Sequence, residues 1–275
     1  MIKYLKNNHH WNEIYFIVGL PRSGKSTITN YLNSLSNFTT IDEPLEIINL
    51  LQVYSLFRKR SKYQNQTNEL IWTNLDHMFS ESILGRNFNF REIDDSYIRN
   101  FKSEKYISKV HKIKNKLDVI EYLSKNSINF AINLNDCEKS LTALKGQKSK
   151  FIRVSRSIFE IAYEMELKKW FSDHALTNNI NLLPGYIDYI KFKRKNFFIP
   201  YCIPKKNYEL FLNSSEYERG LLYCAYQENS LDNIKDINFI KISYNQILSE
   251  LFNFNLFQNF NTNFTKKTNK FIKSL

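Results

Sequence analysis

The chain has 275 residues, 43% hydrophobic and 15% aromatic, which supplies a sizeable core and excludes global disorder. A formal charge of +12 suits an anionic ligand or partner, although most of the lysine excess reads as ordinary solvated surface. Three cysteines, Cys137, Cys202 and Cys224, stand far apart without a Cys-x-x-Cys pair, so neither a zinc site nor a disulfide framework follows.

The first predicted element is a strand over 14–18. The apolar run 14–20 is too short to span a bilayer, and no leader is visible, so a cytoplasmic protein with no membrane partner is expected. The run leads straight into Gly19-Leu20-Pro21-Arg22-Ser23-Gly24-Lys25-Ser26, a Gly-x-x-x-x-Gly-Lys-Ser loop, with Thr27 next. Such a loop wraps backbone N–H groups around an anion, and the helix after it adds its dipole.

That helix is predicted over 25–35, where Ile28, Tyr31, Leu32 and Leu35 fall at helical spacing. A strand over 38–41 follows, then a helix over 45–60 opened by Pro44. Residues 58–116 are polar, with helical pieces such as 68–84, and are expected to form a lid or acceptor-side insertion. Further on come a helix over 117–125, strands over 128–134 and 151–155, and a helix over 158–171. Residues 182–213 are aromatic and basic, broken by Pro184-Gly185, Pro200 and Pro204, and read as a second insertion. Its stretch from Lys191 to Phe198 is expected to be a solvated connector with phenylalanines packed inward. A helix over 216–231, a strand over 239–243 and a loosely ordered tail over 259–275 complete the chain.

Strands alternating with helices predict an α/β fold, a P-loop NTPase-like parallel sheet flanked by helices with helical insertions, in one domain over 1–275.

Taken alone, the loop suits a nucleoside triphosphatase or small-molecule kinase, which also needs a carboxylate for Mg²⁺. Asp136, which is also explicable as a loop or cap residue, and Asp42 are the available candidates.

Other segments point elsewhere. The loop 19–24, with Arg22 beside the cradle, resembles the 5′-phosphosulfate loop of sulfotransferases that use 3′-phosphoadenosine-5′-phosphosulfate (PAPS). Residues 38–45, ending Asp42-Glu43-Pro44-Leu45, resemble the Glu-Pro that closes the second strand in many carbohydrate-type members. Residues 150–156 resemble the strand ending in that family's 3′-phosphate-binding arginine, here Arg156. A weaker likeness lies in 239–248, where a late strand runs into Tyr244.

The resemblance implies PAPS as donor, a hydroxyl or amine of a carbohydrate or small metabolite as acceptor, and nucleic acid as no expected partner. It implies donor binding by Arg22, Ser23, Gly24, Lys25, Ser26, Thr27, Arg156 and Ser157, with catalysis by Glu43, Lys25 and Arg22 and no metal. The chemistry is coherent. Arg22 can fork two hydrogen bonds to phosphate or sulfate, and Lys25 can follow the bridging oxygen as it leaves. Glu43 is the leading general base, with His77 and His111 as alternatives.

One position departs from the pattern. A serine is expected about two helical turns after the arginine, and this register brings Glu164, whose carboxylate would repel a phosphate. A shifted helix, a hydroxyl from Ser155 or Ser157, or a donor without the 3′-phosphate would each resolve it. An ATP/Mg²⁺-dependent kinase and a non-catalytic nucleotide- or polyanion-binding relative stand as alternatives.

Overall fold

A computed structural model describes residues 11–35, 37–57, 60–84, 125–178 and 187–251. Within them the strands are β1 (Ile14–Val18), β2 (Phe38–Asp42), β3 (Asn129–Asn133), β4 (Ser149–Ser155), β5 (Ile187–Phe192), β6 (Lys195–Pro200) and β7 (Phe239–Ser243). The α-helices are α1 (Lys25–Ser34), α2 (Leu45–Leu56), α3 (Ser61–Leu84), α4 (Ile158–Leu167), α5 (Asp173–Asn178), α6 (Tyr208–Asn213), α7 (Glu216–Asp232) and α8 (Tyr244–Leu251), with 3-10 helices over Glu138–Leu144 and Lys205–Asn207.

Five strands form one parallel sheet in the order β2-β3-β1-β4-β7. The protein is thus an α/β fold with a parallel sheet flanked by helices. Strand β1 lies in the centre and is buried throughout, as parallel strands covered on both faces must be. Its alternating side chains feed two cores. Ile14, Phe16 and Val18 pack with Ile48 and Leu51 of α2 and with Trp72 and Phe79 of α3. Tyr15 and Ile17 pack on the other face with Ile28 and Leu32 of α1 and Ile247 of α8. The chain fills one side of β1 with β2 and β3, then crosses to the other with β4 and β7. The order therefore reverses between β1 and β4, and ligands of such sheets bind at the carboxyl edge there.

A third core holds the loop after β1 in place. Leu20, fully buried, packs with Met165 of α4, Ile199 of β6, Phe211 of α6 and Tyr223 of α7. Helices α4 and α7 approach closely because Gly220 faces Ala162, where a Cβ would meet the Ala162 Cα at 3.2 Å.

Several expectations are corrected. Helix α2 stops at Leu56 rather than 60, and the segment 58–116 opens with α3, a core helix in which Ile71, Trp72, Leu75 and Phe79 are buried. Trp72 and Asn68 of α3 donate to the Ala143 carbonyl at 3.1 and 2.8 Å. The stretch 191–198 is no connector. It belongs to an antiparallel hairpin of β5 and β6, turned by Lys193 and Arg194 at φ 45° and 66°. Two consecutive positive φ values match the right-handed twist of the flanking strands. Phe197 does pack inward, at 4% exposure. Helix α4 ends at Leu167 rather than 171. His111, most of the helix expected over 117–125, and the tail 259–275 lie outside the described residues.

Candidate functional site

The loop after β1 is built around two glycines. Gly19 has φ 139° and Gly24 φ 100°. A Cβ would lie 2.2 Å from the Val154 carbonyl oxygen at Gly19, and 2.6 Å from the Tyr244 ring at Gly24. Between them Arg22 is left-handed at φ 65°. Helix α1 starts at Lys25 with no acidic residue in its first turn, so its N-terminal dipole faces the loop uncompensated. Ser23 is completely buried, and its Oγ has no hydrogen-bond partner. That hydroxyl is a ready contact for an anion, since leaving it unmade costs free energy. Lys25 is 4% exposed and folds back to donate to the carbonyls of Gly19 at 2.9 Å and Leu20 at 2.7 Å. Burial lowers its pKa, while the charges of Glu43, Asp136, Glu138 and Asp42 act in the opposite sense.

Two carboxylates at the end of β2 face this loop. Strand β3 intervenes between β2 and β1, so Glu43 does not sit on the neighbouring strand, yet α1 brings the loop within reach. Ser26 Oγ lies 3.5 Å from Asp42 Oδ1, and the buried Asn133 donates to Asp42 and stands 3.4 Å from Ser26 Oγ. Glu43 takes φ 52°, its N–H bonds the Asn133 carbonyl at 3.1 Å, and its carboxylate accepts from Asn135. An amide donor on one oxygen orients the carboxylate.

A second acidic pair closes the site from β3's far end. Asp136 has φ 50° and accepts from Tyr223 at 2.6 Å and from Gln227, both on α7. Burial raises its pKa, and those two hydrogen bonds with the Lys25 charge counter the rise. Glu138 is 5% exposed and accepts from Tyr201. Burial first, then the Asp136 charge, push its carboxyl up to about 7. Arg22, Glu43 and Asp136 thus all take a backbone conformation that costs a non-glycine residue on the order of 1–3 kcal/mol. Such strain concentrates where side chains must be aimed.

Arg156 follows β4 and meets the loop directly. Its Nη1 donates to the Arg22 carbonyl at 3.2 Å and its guanidinium lies 4.7 Å over the Tyr244 ring. Its Nε donates to Glu160 at 2.8 Å and its Nη1 to Glu164 Oε1 at 2.6 Å. The other oxygen of Glu164 accepts from Arg22 Nε at 2.9 Å. Partial burial pushes the Glu164 carboxyl up. The hydrogen bonds and charges of the two arginines outweigh this and hold it below its ordinary value.

The structure therefore gathers Arg22, Ser23, Gly24, Lys25, Ser26, Thr27, Glu43 and Arg156 at the carboxyl edge of the sheet. Thr27 holds the first turn, its N–H bonding the Gly24 carbonyl at 3.0 Å. Ser157 is exposed at the start of α4 and its side chain makes no cap. His77 is exposed on α3. Sequence reasoning missed Asn133, Glu138, Tyr201, Tyr223 and Gln227, and weighed Asp136 only as a Mg²⁺ ligand or a loop or cap residue.

No protein-family model matches the chain, and no curated protein matches it. Among solved structures it is similar to the sulfotransferase STF9 from Mycobacterium avium. The TM-score is 0.42 at 11% identity, over 98% of this chain and 69% of that one. Among the described residues no helix is long and apolar enough to cross a membrane.

Proposed function

We propose that the chain is a sulfotransferase, moving a sulfuryl group from a nucleotide 5′-phosphosulfate to a hydroxyl or amine of a carbohydrate or small metabolite. The observation that carries this reading is the loop itself. It presents Arg22, the unpartnered Ser23 hydroxyl and the α1 N-terminus to one anion, with Glu43 held by Asn135 at the same sheet edge.

In the reaction the acceptor oxygen or nitrogen bonds to sulfur as the bond from sulfur to the bridging phosphate oxygen breaks. The acceptor proton passes to Glu43, and the nucleotide leaves with the bridging electron pair on its 5′-phosphate. Charge spread over the equatorial sulfuryl oxygens is met by the loop N–H groups and by the Nη atoms of Arg22, whose Nε is the atom that Glu164 holds. Lys25 follows the leaving oxygen by exchanging its bonds to Gly19 and Leu20 for one to the donor.

One contact favours a second reading. Ser26 and Asp42, 3.5 Å apart beside Asn133, whose Oδ1 is buried without a partner, are residue types that would hold Mg²⁺ in an ATP-dependent kinase. Bound there, the ion would neutralise charge on a transferred phosphoryl group. Thermal melting separates the two, because a ligand that binds the native state stabilises it. A metal-independent rise with the product nucleotide, and none with ATP and Mg²⁺, supports sulfuryl transfer. The reverse pattern supports the kinase.

A further inference from the structure

Arg22 and Arg156 form a second cationic pole beside the loop, and the chain itself fills it. Glu164 puts one oxygen on each guanidinium, at 2.9 and 2.6 Å, and Glu160 takes the Nε of Arg156 at 2.8 Å. Two guanidiniums and two carboxylates cancel, so this pole carries no net charge to offer a phosphate. Arg156 Nη1 also donates to the Arg22 carbonyl, and the guanidinium lies over the Tyr244 ring. Helix α4, which presents both glutamates, is pinned against α7 at Gly220 and cannot easily withdraw. A phosphate at this pole would have to break both Glu164 bonds and then lie against the freed carboxylate. A hydroxyl has no such difficulty, since it donates to Glu164 and accepts from arginine. The same logic separates ribose hydroxyl from ribose phosphate in dinucleotide folds, where a carboxylate takes the first and an arginine the second.

We infer that Glu164 makes this site select a nucleotide whose ribose carries a free hydroxyl at the Arg156 pole, so that the donor is a nucleoside 5′-phosphosulfate without a 3′-phosphate. The inference rests on the proposed sulfuryl transfer for the identity of the 5′ group. The choice at the ribose stands for any nucleotide held by the loop.

Calorimetry on the full chain tests it with adenosine 5′-monophosphate and adenosine 3′,5′-bisphosphate at one ionic strength. The unmodified protein is expected to bind the bisphosphate no more tightly than the monophosphate. Glu164→Gln and Glu164→Ser should each shift that ratio towards the bisphosphate by at least about tenfold. An unmodified protein that prefers the bisphosphate tenfold or more overturns the inference. So does a ratio that neither variant moves. If neither nucleotide binds, the inference and the proposed function fall together. The expected ratio with no sulfuryl turnover from any donor removes the proposed function alone.

Discussion

Arg156 donates to Glu164 at 2.6 Å across two turns of α4, and the same carboxylate reaches Arg22 at 2.9 Å. The pair is half-buried, with side-chain exposures of 18% and 26%. Hydrogen bonds to charged groups are worth about 1.5–3 kcal/mol, so Glu164→Ala is expected to cost about that much in urea unfolding. It should also release one bond on each guanidinium, so inorganic sulfate should raise the melting temperature of the variant more than that of the unmodified protein. An equal rise in both would show that the arginines are already open to anions.

Lys25 is the only residue of the loop that bonds two of the loop's own carbonyls through its side chain among the described contacts. Lys25→Met keeps the apolar stem and removes the ammonium. Turnover should fall by about 10²–10³, the usual effect of deleting one donor from a charge-stabilising site. Stability should drop by about 1–3 kcal/mol because both carbonyls lose their partner. Steady-state rates and chemical denaturation read the two effects separately.

Glu43 is aimed by Asn135 and by its own left-handed backbone. In its proposed role as general base it should contribute about 10²–10⁴ to turnover. Glu43→Gln keeps the shape, so nucleotide affinity should stay within about threefold while kcat falls. A parallel loss of nucleotide affinity would instead assign Glu43 to donor binding.

Glu138 gives the fold a pH dependence. Its carboxyl titrates near 7 in the folded protein, against an ordinary value of 4.5, because of burial and then the Asp136 charge. The folded state thus holds a proton that the unfolded state has released between those values. This contribution is fully present below pH 4.5, shrinks as pH rises and is gone above about 7. Melting should show a loss of roughly 1–3 kcal/mol from this residue between pH 5 and 8. Glu138→Gln, which can still accept from Tyr201, should flatten that slope. An unchanged slope would assign the pH dependence to another group.

The sheet was legible where the chemistry was local. Strand β1 and strand β7 have the bounds that their sequence pattern predicts, 14–18 and 239–243, and the glycine spacing marked the loop without ambiguity. Parallel strands buried on both faces read as continuous apolar segments, which is why the central ones stood out. The β5–β6 hairpin did not, because its turn is Lys193-Arg194 rather than the Asn-Gly or Asp-Gly that signals such a turn. Helix α3 looked polar because its buried stripe, Ile71, Leu75, Met78 and Phe79, is narrow and its outer face is rich in neutral polar residues such as Asn65, Gln66 and Thr73.

At the site, Arg22, Lys25, Glu43 and Arg156 came from short motifs. The acidic pocket did not, since Glu138–Tyr201, Asp136–Tyr223 and Asp136–Gln227 join residues 63, 87 and 91 positions apart. Nothing local encodes such contacts. Glu164 was visible as a departure at its helical register. Its grip on Arg22, 142 positions away, required the fold.

Incubation with a sulfur-labelled nucleotide 5′-phosphosulfate, and in parallel with γ-labelled ATP and Mg²⁺, across one panel of hydroxyl and amine acceptors tests the central claim most directly. Sulfuryl transfer through Arg22, Lys25 and Glu43 predicts labelled sulfate on an acceptor, lost in Glu43→Gln, and no labelled phosphate. Labelled phosphate on an acceptor with no sulfate transfer would contradict it and assign Ser26 and Asp42 to a kinase.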